Sequence, residues 1–416
     1  MYLVLLGALS LLFPFPSCRP GNAMKLLLPS VLIAVYLCFS LILPLKARAI
    51  IRAGLAAILL AVSQKYVFYQ TFGGSFFRPE LPIPVLLTAE ALYASLVILF
   101  FLALLKDCAG FLLWLSRRMG TTWHMPFSPA VRSSGLVLLA LAAGIWGTFQ
   151  SVRVPEVRTI EVSIPKLPAE LEGFSIVQLT DVHIGPLLKK EWLSGVVKKT
   201  NDINADIIVL TGDIIDGLPH ELADELHPLS QLRARFGVFG VNGNHEYYYD
   251  ARGWLPVFRS LGVDMLNNEH RVLPGGLVLG GVTDRNAPRF GQPAPDMEAA
   301  FSGAPEGTRV LLSHQPQYGD SIPAAGIALQ LSGHTHGGLL FFLRPLIAHY
   351  NKGFVHGLYE TDGGGQLYVS PGTGLWSGFS CRLGVPSEIT RIVLKKGTET
   401  LAHCSFPTDD ESRRPP

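Results

Sequence analysis

No two cysteines in this chain stand within a CxxC spacing. Cys18, Cys38, Cys108, Cys381 and Cys404 are all it has, which argues against a zinc-thiolate site and against a disulfide scaffold. Cys381 and Cys404 can pair if their part of the chain faces an oxidising compartment, but sequence does not supply the geometry. Charge is scarce as well: 16% of the 416 residues are acidic or basic, and the formal net charge is +2. That leaves no extended basic surface, so nucleic acid is not an expected partner. What the chain has in quantity is apolar side chains, 49% of the total, and nearly all of the excess lies before about residue 150. The length suits roughly two or three domains.

The apolar runs come first. Residues 25–44, KLLLPSVLIAVYLCFSLILP, and 84–105, PVLLTAEALYASLVILFFLALL, are each about long enough to cross a bilayer's hydrocarbon core. AIIRAGLAAILLAVSQ at 49–64, interrupted by Arg52, and the uncharged GLVLLALAAGIWGTFQS at 135–151 are expected to be two more spans. The opening MYLVLLGALSLLFPFP is short for a span and lacks a basic leader, so it fits a secretory signal poorly. It is left as a fifth span or an upstream extension, since Met24-Lys25 would serve equally as a start. Residues 1–151 are thus expected to form an all-α membrane region of four or five helices. Lys46, Arg48 and Arg52 crowd one loop, and Lys106, Arg117, Arg118 and Arg132 the loop two spans later, while the alternate loops hold only Arg19 and Lys25, then Lys65 and Arg78. The positive-inside bias places the basic loops in the cytoplasm and everything after the last span outside a bacterial-type inner or plasma membrane. Glu90 stands alone among the spans and reads as an interfacial or interhelical residue rather than a proton relay, so this region reads as an anchor.

After a proline-containing linker, 152–171, the texture changes. Short β-rich runs at 174–180, 206–212, 237–243, 277–282, 309–313, 327–332, 366–370 and 388–395 alternate, over the first half, with helix-like segments at 189–201, 220–234 and 250–261. Such alternation predicts an α/β domain, 172–398, with sheet faces covered by helices; 399–416 is a charged, proline-ended tail expected to be disordered.

In α/β sheets ligands gather at the carboxyl ends of strands, and there the sequence is consistent. Asp181 and His183 follow the first strand, Asp213 the second, Asn244 and His245 the third, His314 the strand at 309–313, and His334 with His336 the strand at 327–332. Singly, each has an ordinary reading: an aspartate as a helix N-cap, Asn244 as a turn residue, a histidine satisfied by a carbonyl. Jointly they are hard to place by accident. In an extended segment His334 and His336, two apart, point the same way, so both rings would meet one object.

DVH at 181–183, GD at 212–213, GNHE at 243–246, His314 and GHTH at 333–336 resemble, in order and spacing, the metal-site motifs of the calcineurin-like metallophosphoesterases. GNHEYY, VSPGT and the apolar leader are similar to the subgroup of transmembrane proteins that carry a metallophosphoesterase domain. The resemblance implies a β-sandwich of two mixed sheets flanked by helices, with two divalent metals at one end. It implies that Asp181, His183 and His336 hold one ion, that Asn244, His314 and His334 hold the other, and that Asp213 bridges them. His334 and His336 would then serve different ions. Ions about 3.5–4 Å apart activate a shared water and stabilise the phosphoryl oxygens of an in-line displacement. Imidazole, carboxylate and amide ligands without thiolate suit manganese, iron or zinc, with manganese the first choice by resemblance. His245 is the implied acid for the leaving group or a phosphate-orienting group, with a further ligand as its alternative. Asp216 and Glu246 read as supports that orient imidazoles or cap the next helix. Tyr247, Tyr248 and Tyr249 either line a substrate groove or pack.

One departure matters. Serine/threonine phosphatases of the superfamily continue the GD motif as GDxxDRG, whereas GDIIDG places Gly217 where that arginine would stand. Arginine grips phosphate through paired hydrogen bonds, so its absence points away from phosphoproteins and towards a diester, a pyrophosphate or a lipid-linked phosphate. Relatives implied by the resemblance cleave UDP-2,3-diacylglucosamine, which makes membrane lipids and a phosphorylated small molecule or glycolipid the expected partners. That substrate is made in the cytoplasm while the charge count places the domain outside, so an extracytoplasmic headgroup or envelope polymer fits the topology better. The alternative is a non-catalytic membrane sensor or scaffold; retention of every motif residue counts against it.

Overall fold

A computed structural model of the chain describes residues 22–316, 318, 326–361 and 364–397. The apolar runs before residue 153 form helices α1 (Asn22–Leu37), continued by a π-helical stretch Cys38–Ile42, α2 (Ala49–Ser63), α3 (Lys65–Phe72), α4 (Ile83–Arg118) and α5 (Pro129–Val152). A proline in the first turn of α4 and of α5 costs no hydrogen bond there, and Ser128 Oγ accepts from Val131 N to cap α5.

The expected four or five membrane helices are corrected by these lengths. Among the described residues α4 and α5 are the two long and apolar enough to cross a membrane; α2 and α3, bent by 60° at their junction, make a third if the pair is one span. The run at 49–64 ends at that bend. The run at 25–44 gives an apolar helix, Leu27–Ile42, below the length of a span. The opening run, the tail, Cys18 and Cys404 lie outside the described residues.

Residues 152–171, expected to be a linker, hold β1 (Glu156–Ile164), which pairs in parallel along its whole length with β12 (Glu388–Lys396). The other strands are β2 (Ser175–Leu179), β3 (Ile207–Thr211), β4 (Val238–Val241), β5 (Val263–Met265), β6 (Glu269–Leu273), β7 (Leu277–Gly281), β8 (Thr308–Leu312), β9 (Ile327–Ser332), β10 (Gly357–Glu360) and β11 (Gln366–Val369). They form two six-stranded mixed sheets, ordered β1-β12-β2-β3-β4-β5 and β10-β11-β9-β8-β7-β6, as the resemblance implies.

Period-two patterning explains the layers. In β2 and β3 every residue is buried because both faces are covered. Ile176, Ile207 and Val209 point between the sheets with Val310, Leu329 and Leu331. Val177, Leu179, Ile208 and Leu210 face helices α6 (Lys190–Asn201) and α7 (Ala251–Ser260) through Trp192, Leu193, Trp254 and Phe258. Strands β2, β3, β4 and β5 run parallel, as do β7, β8 and β9. The carboxyl ends of β2, β3, β4, β8 and β9 therefore deliver their following residues to one edge of the sandwich.

Candidate metal centre

All eight residues singled out at strand ends meet at that edge. Five of them leave their strands through a left-handed backbone: Asp181 (φ 52°), His183 (φ 51°), Asp213 (φ 51°), His334 (φ 71°) and His336 (φ 47°). Such conformations are costly for residues with a Cβ and persist where the surroundings impose them, often at functional sites. Glycines make the close approach possible. A Cβ on Gly243 would run into the Asp213 carboxylate, and one on Gly333 into Asp181 and Thr180.

Three groups of side chains have ligand atoms within 4.8 Å of one another: Asp181, His183 and His336; His183, Asp213 and His245; and Asp213, His314 and His334. In the first, His183 Nε2 lies 3.3 Å from His336 Nε2, and His336 Nε2 lies 3.6 Å from Asp181 Oδ1. In the last, His314 Nε2 lies 3.2 Å from Asp213 Oδ2, 3.2 Å from Asn244 Oδ1 and 3.2 Å from His334 Nδ1. Asp213 Oδ2 also stands 3.9 Å from His183 Nε2, so this carboxylate lies between the two sets. His334 and His336 face different sets. Their positive φ values replace the extended alternation expected of HTH.

The donors fit divalent cations. The ring nitrogens of His183 and His336, and those of His314 and His334, face one another at 3.3 and 3.2 Å; a shared cation satisfies such an arrangement. Imidazole, carboxylate and amide oxygen without thiolate form an intermediate-to-hard donor set.

Behind the ligands stands a polar support. Asp216 Oδ1 accepts from Nδ1 of His183 at 2.9 Å and of His245 at 2.6 Å, which leaves each Nε2 facing inward. Glu246 accepts from three backbone N–H groups: Gly243 at 2.6 Å, Asp213 at 3.0 Å and Ile214 at 2.7 Å. It clamps the GD loop to the GNHE loop. Asp213 Oδ1 accepts from His245 N at 2.8 Å. Arg382, fully buried, donates to the carbonyls of Pro371 at 2.8 Å and Gly374 at 2.6 Å and fixes the loop behind His336. Sequence reasoning missed it, because a lone arginine in a glycine-serine-rich stretch carries no motif.

Burial and mutual charge set the protonation of the metal-free centre. Burial pushes the Asp216 carboxyl up, but the His183 and His245 imidazoles outweigh it and hold the group at about 2. Burial pulls His245 down, yet the Asp213 and Asp216 carboxylates raise it to about 9. His314 is raised against burial to about 10, chiefly by Asp213. Burial first, then Asp213, lifts Glu246 to about 7. His334 and His336 are held well below the usual imidazole range, by burial and then by neighbouring imidazoles. The centre thus holds neutral and protonated imidazoles side by side.

Around His245 the aromatic run divides. Tyr247 is buried, whereas the Tyr248 ring lies 5.3 Å from His245 and 5.9 Å from Phe290. Gly217, beside Asp216, is closely packed: a Cβ there would meet Leu222 and, at 3.1 Å, the guanidinium of Arg78.

Comparison with known proteins bears on this site. The family described as calcineurin-like phosphoesterase matches residues 174–338. A Danio rerio protein named "Transmembrane protein with metallophosphoesterase domain" is 33% identical over 324 residues, spanning 75% of this chain and 74% of its own. Its Bos taurus namesake is 32% identical over 328 residues, with 74% and 73% covered. An "Uncharacterized metallophosphoesterase" of Helicobacter pylori is 35% identical over 259 residues, 62% of this chain and 68% of its own.

Proposed function

The chain belongs to the calcineurin-like phosphoesterases and is a metal-dependent phosphoester hydrolase by that membership; we propose that it is a membrane-anchored member acting on a lipid-linked or envelope phosphate ester or pyrophosphate. The observation that carries the reading is the position of Asp213, 3.2 Å from His314 and 3.9 Å from His183, between two sets of ligand side chains.

On this reading Asp181, His183 and His336 hold one ion, Asn244, His314 and His334 the second, and Asp213 touches both. Two divalent ions bound there supply Lewis-acid charge to the phosphoryl oxygens and lower the pKa of a water, manganese being the first candidate. The rest falls to side chains. Asp216 keeps the Nδ1 hydrogens of His183 and His245, so both rings are fixed in tautomer and angle. His245, held protonated by Asp213 and Asp216, presents Nε2 on the Asp213 side at 4.0 Å and gives its proton to the leaving oxygen. Glu246 and Arg382 hold the loops that carry Asp213 and His336.

The apolar helices α4 and α5, together with the transmembrane names of the relatives, support the anchor. Tethering at a bilayer favours an amphiphilic substrate, and UDP-2,3-diacylglucosamine is one candidate. The deciding experiment uses the full chain in lipid nanodiscs, loaded with Mn2+. It offers bis-p-nitrophenyl phosphate, p-nitrophenyl phosphate and UDP-2,3-diacylglucosamine side by side, with Asp213→Asn as control. Metal-dependent cleavage lost in the variant, with bound metal falling below two per chain, is the expected result. Cleavage retained by Asp213→Asn overturns the bridging role, and preference for the monoester overturns the proposed substrate class.

A further inference from the structure

The apolar helices reach the metal centre. Phe77, in the loop between α3 and α4, is only 5% exposed. Its ring lies 5.8 Å from that of His245, 5.0 Å from that of Trp376 and 6.3 Å from that of Tyr248. The next residue, Arg78, pairs with Glu221 of the sandwich, so the loop is tethered where it crosses.

A second connection runs through a buried ion pair. Lys65 and Glu90, with side chains 2% and 1% exposed, stand 3.0 Å apart. Burying two charges is unfavourable unless every donor and acceptor is satisfied, and here the remaining capacity goes to the loop at 376–380. Lys65 Nζ donates to Gly378 O at 2.7 Å, Tyr66 Oη donates to the same carbonyl at 3.0 Å, and Glu90 accepts from Ser380 N at 2.8 Å. Tyr69 Oη, donating to Glu90 at 2.7 Å, completes the set. That loop begins with Trp376, whose ring is 6.2 Å from His245. Leu340, Leu343, Phe379 and Cys381 share one buried cluster with Leu86 and Tyr93 of α4. An anchor alone would not require charges buried in its helices to be matched to a loop of the domain it carries.

We propose that the helical half builds one wall of the active site: Phe77 and Trp376 form an apolar face beside His245 that receives the organic group next to the substrate's phosphorus, and the Lys65–Glu90 pair positions the loop bearing Trp376. This rests on the phosphoesterase reading, which places phosphorus at the adjoining ligands. Phe77 and Trp376 are then specificity residues, and Lys65 and Glu90 positioning residues.

Binding rather than turnover tests it. Phenylphosphonate and methylphosphonate share the phosphoryl group and differ in the group the wall would receive. Calorimetry on the Mn2+-loaded full chain in nanodiscs should give the phenyl compound the tighter Kd, by about tenfold for one ring packed on two others. Phe77→Ala should reduce that ratio to about twofold or less, and Glu90→Gln should reduce it too. In both, the methylphosphonate Kd and two metals per chain should persist. Phe77→Leu, a loop substitution retaining apolar bulk, should give an intermediate ratio and keeps the test open if Glu90→Gln does not fold. An unchanged ratio in the Phe77 variants overturns the wall; equal weakening of both ligands overturns it as well, since that signals general damage to the site. Absence of turnover on every phosphoester would count against the hydrolase reading alone, because the phenyl-to-methyl ratio is read without catalysis.

Discussion

His245 Nδ1 and Asp216 Oδ1 stand 2.6 Å apart, and this contact decides which nitrogen of His245 faces the ligand cluster. The same oxygen accepts from His183, so one buried carboxylate orients an implied ligand and an implied acid together. Asp216→Ala should therefore lower metal affinity or activity by about 10- to 100-fold, the usual cost of removing such a support. Metal titration and steady-state kinetics on the same preparation check it, and full activity with unaltered affinity would remove Asp216 from the site's support.

His245 has two possible roles, and they separate cleanly. As the proton donor its replacement in His245→Ala should cut kcat by roughly 10²- to 10⁴-fold while elemental analysis still finds two metals per chain. Loss of one metal on substitution would make it a ligand instead, which the group of His183, Asp213 and His245 also permits.

The legible part of the fold was the part written in local chemistry. Strands β2, β3 and β9 are apolar runs that end in motif residues, so their existence and the placing of Asp181, Asp213 and His334 at their ends could be read directly. β1 could not: a third of EVRTIEVSI is charged, and it becomes a strand only because β12 supplies a parallel partner over its whole length. The three-residue β5 and the partly exposed β6 and β10 likewise depend on neighbours. Arg382 and Phe77 reach the site from loops more than 40 residues from the nearest metal-site motif in sequence, and only tertiary packing brings them there. Hydropathy overcounted the membrane spans because it registers neither the 60° bend between α2 and α3 nor the short helix, Leu27–Ile42, that the run at 25–44 forms.

Proton linkage gives the metal-free protein an unusual pH response. His245 is raised from 6.5 to about 9 and Glu246 from 4.5 to about 7. A group raised on folding contributes stability that is fully present below its unfolded pKa and is lost as pH rises through the folded one. The windows are about 4.5 to 7 for Glu246 and 6.5 to 9 for His245, with His314 extending the upper one to about 10; His334 and His336, held low, act the other way below about 6.5, so Tm of the metal-free protein should fall across pH 7 to 9, by on the order of 5 °C. Asp216, lowered to about 2, acts oppositely and only in acid, its contribution being lost as pH falls from about 3.8 through 2. Bound metal requires deprotonated ligands, so its stabilisation grows with pH. Scanning calorimetry with and without Mn2+ should show Tm trends of opposite sign across that range; parallel trends would contradict the protonation pattern assigned to the centre.

Orientation follows from where the helices put their charges. α4 starts beside the sandwich at Ile83 and ends at Arg117 and Arg118, and α5 starts at Pro129, next to Arg132, and returns at Val152 to lead into β1. Lys46, Arg48 and Arg52 lie at or just before the start of α2, and α2 leads back to Lys65, the first residue of α3, whose ammonium contacts Gly378 of the sandwich. The basic residues therefore gather at the end of the helices away from the metal centre. Since loops rich in lysine and arginine stay cytoplasmic, the sandwich should lie on the opposite side of the membrane. A reporter that works only outside the cytoplasm, fused after Pro416, should be active, and one that works only inside should be silent. The reverse result would put the metal centre on the side where UDP-2,3-diacylglucosamine is made and shift the proposed substrate towards that nucleotide lipid. The wall formed by Phe77 and Trp376 would serve either side equally, because its construction depends on helix-to-sandwich contacts and not on which compartment the sandwich faces.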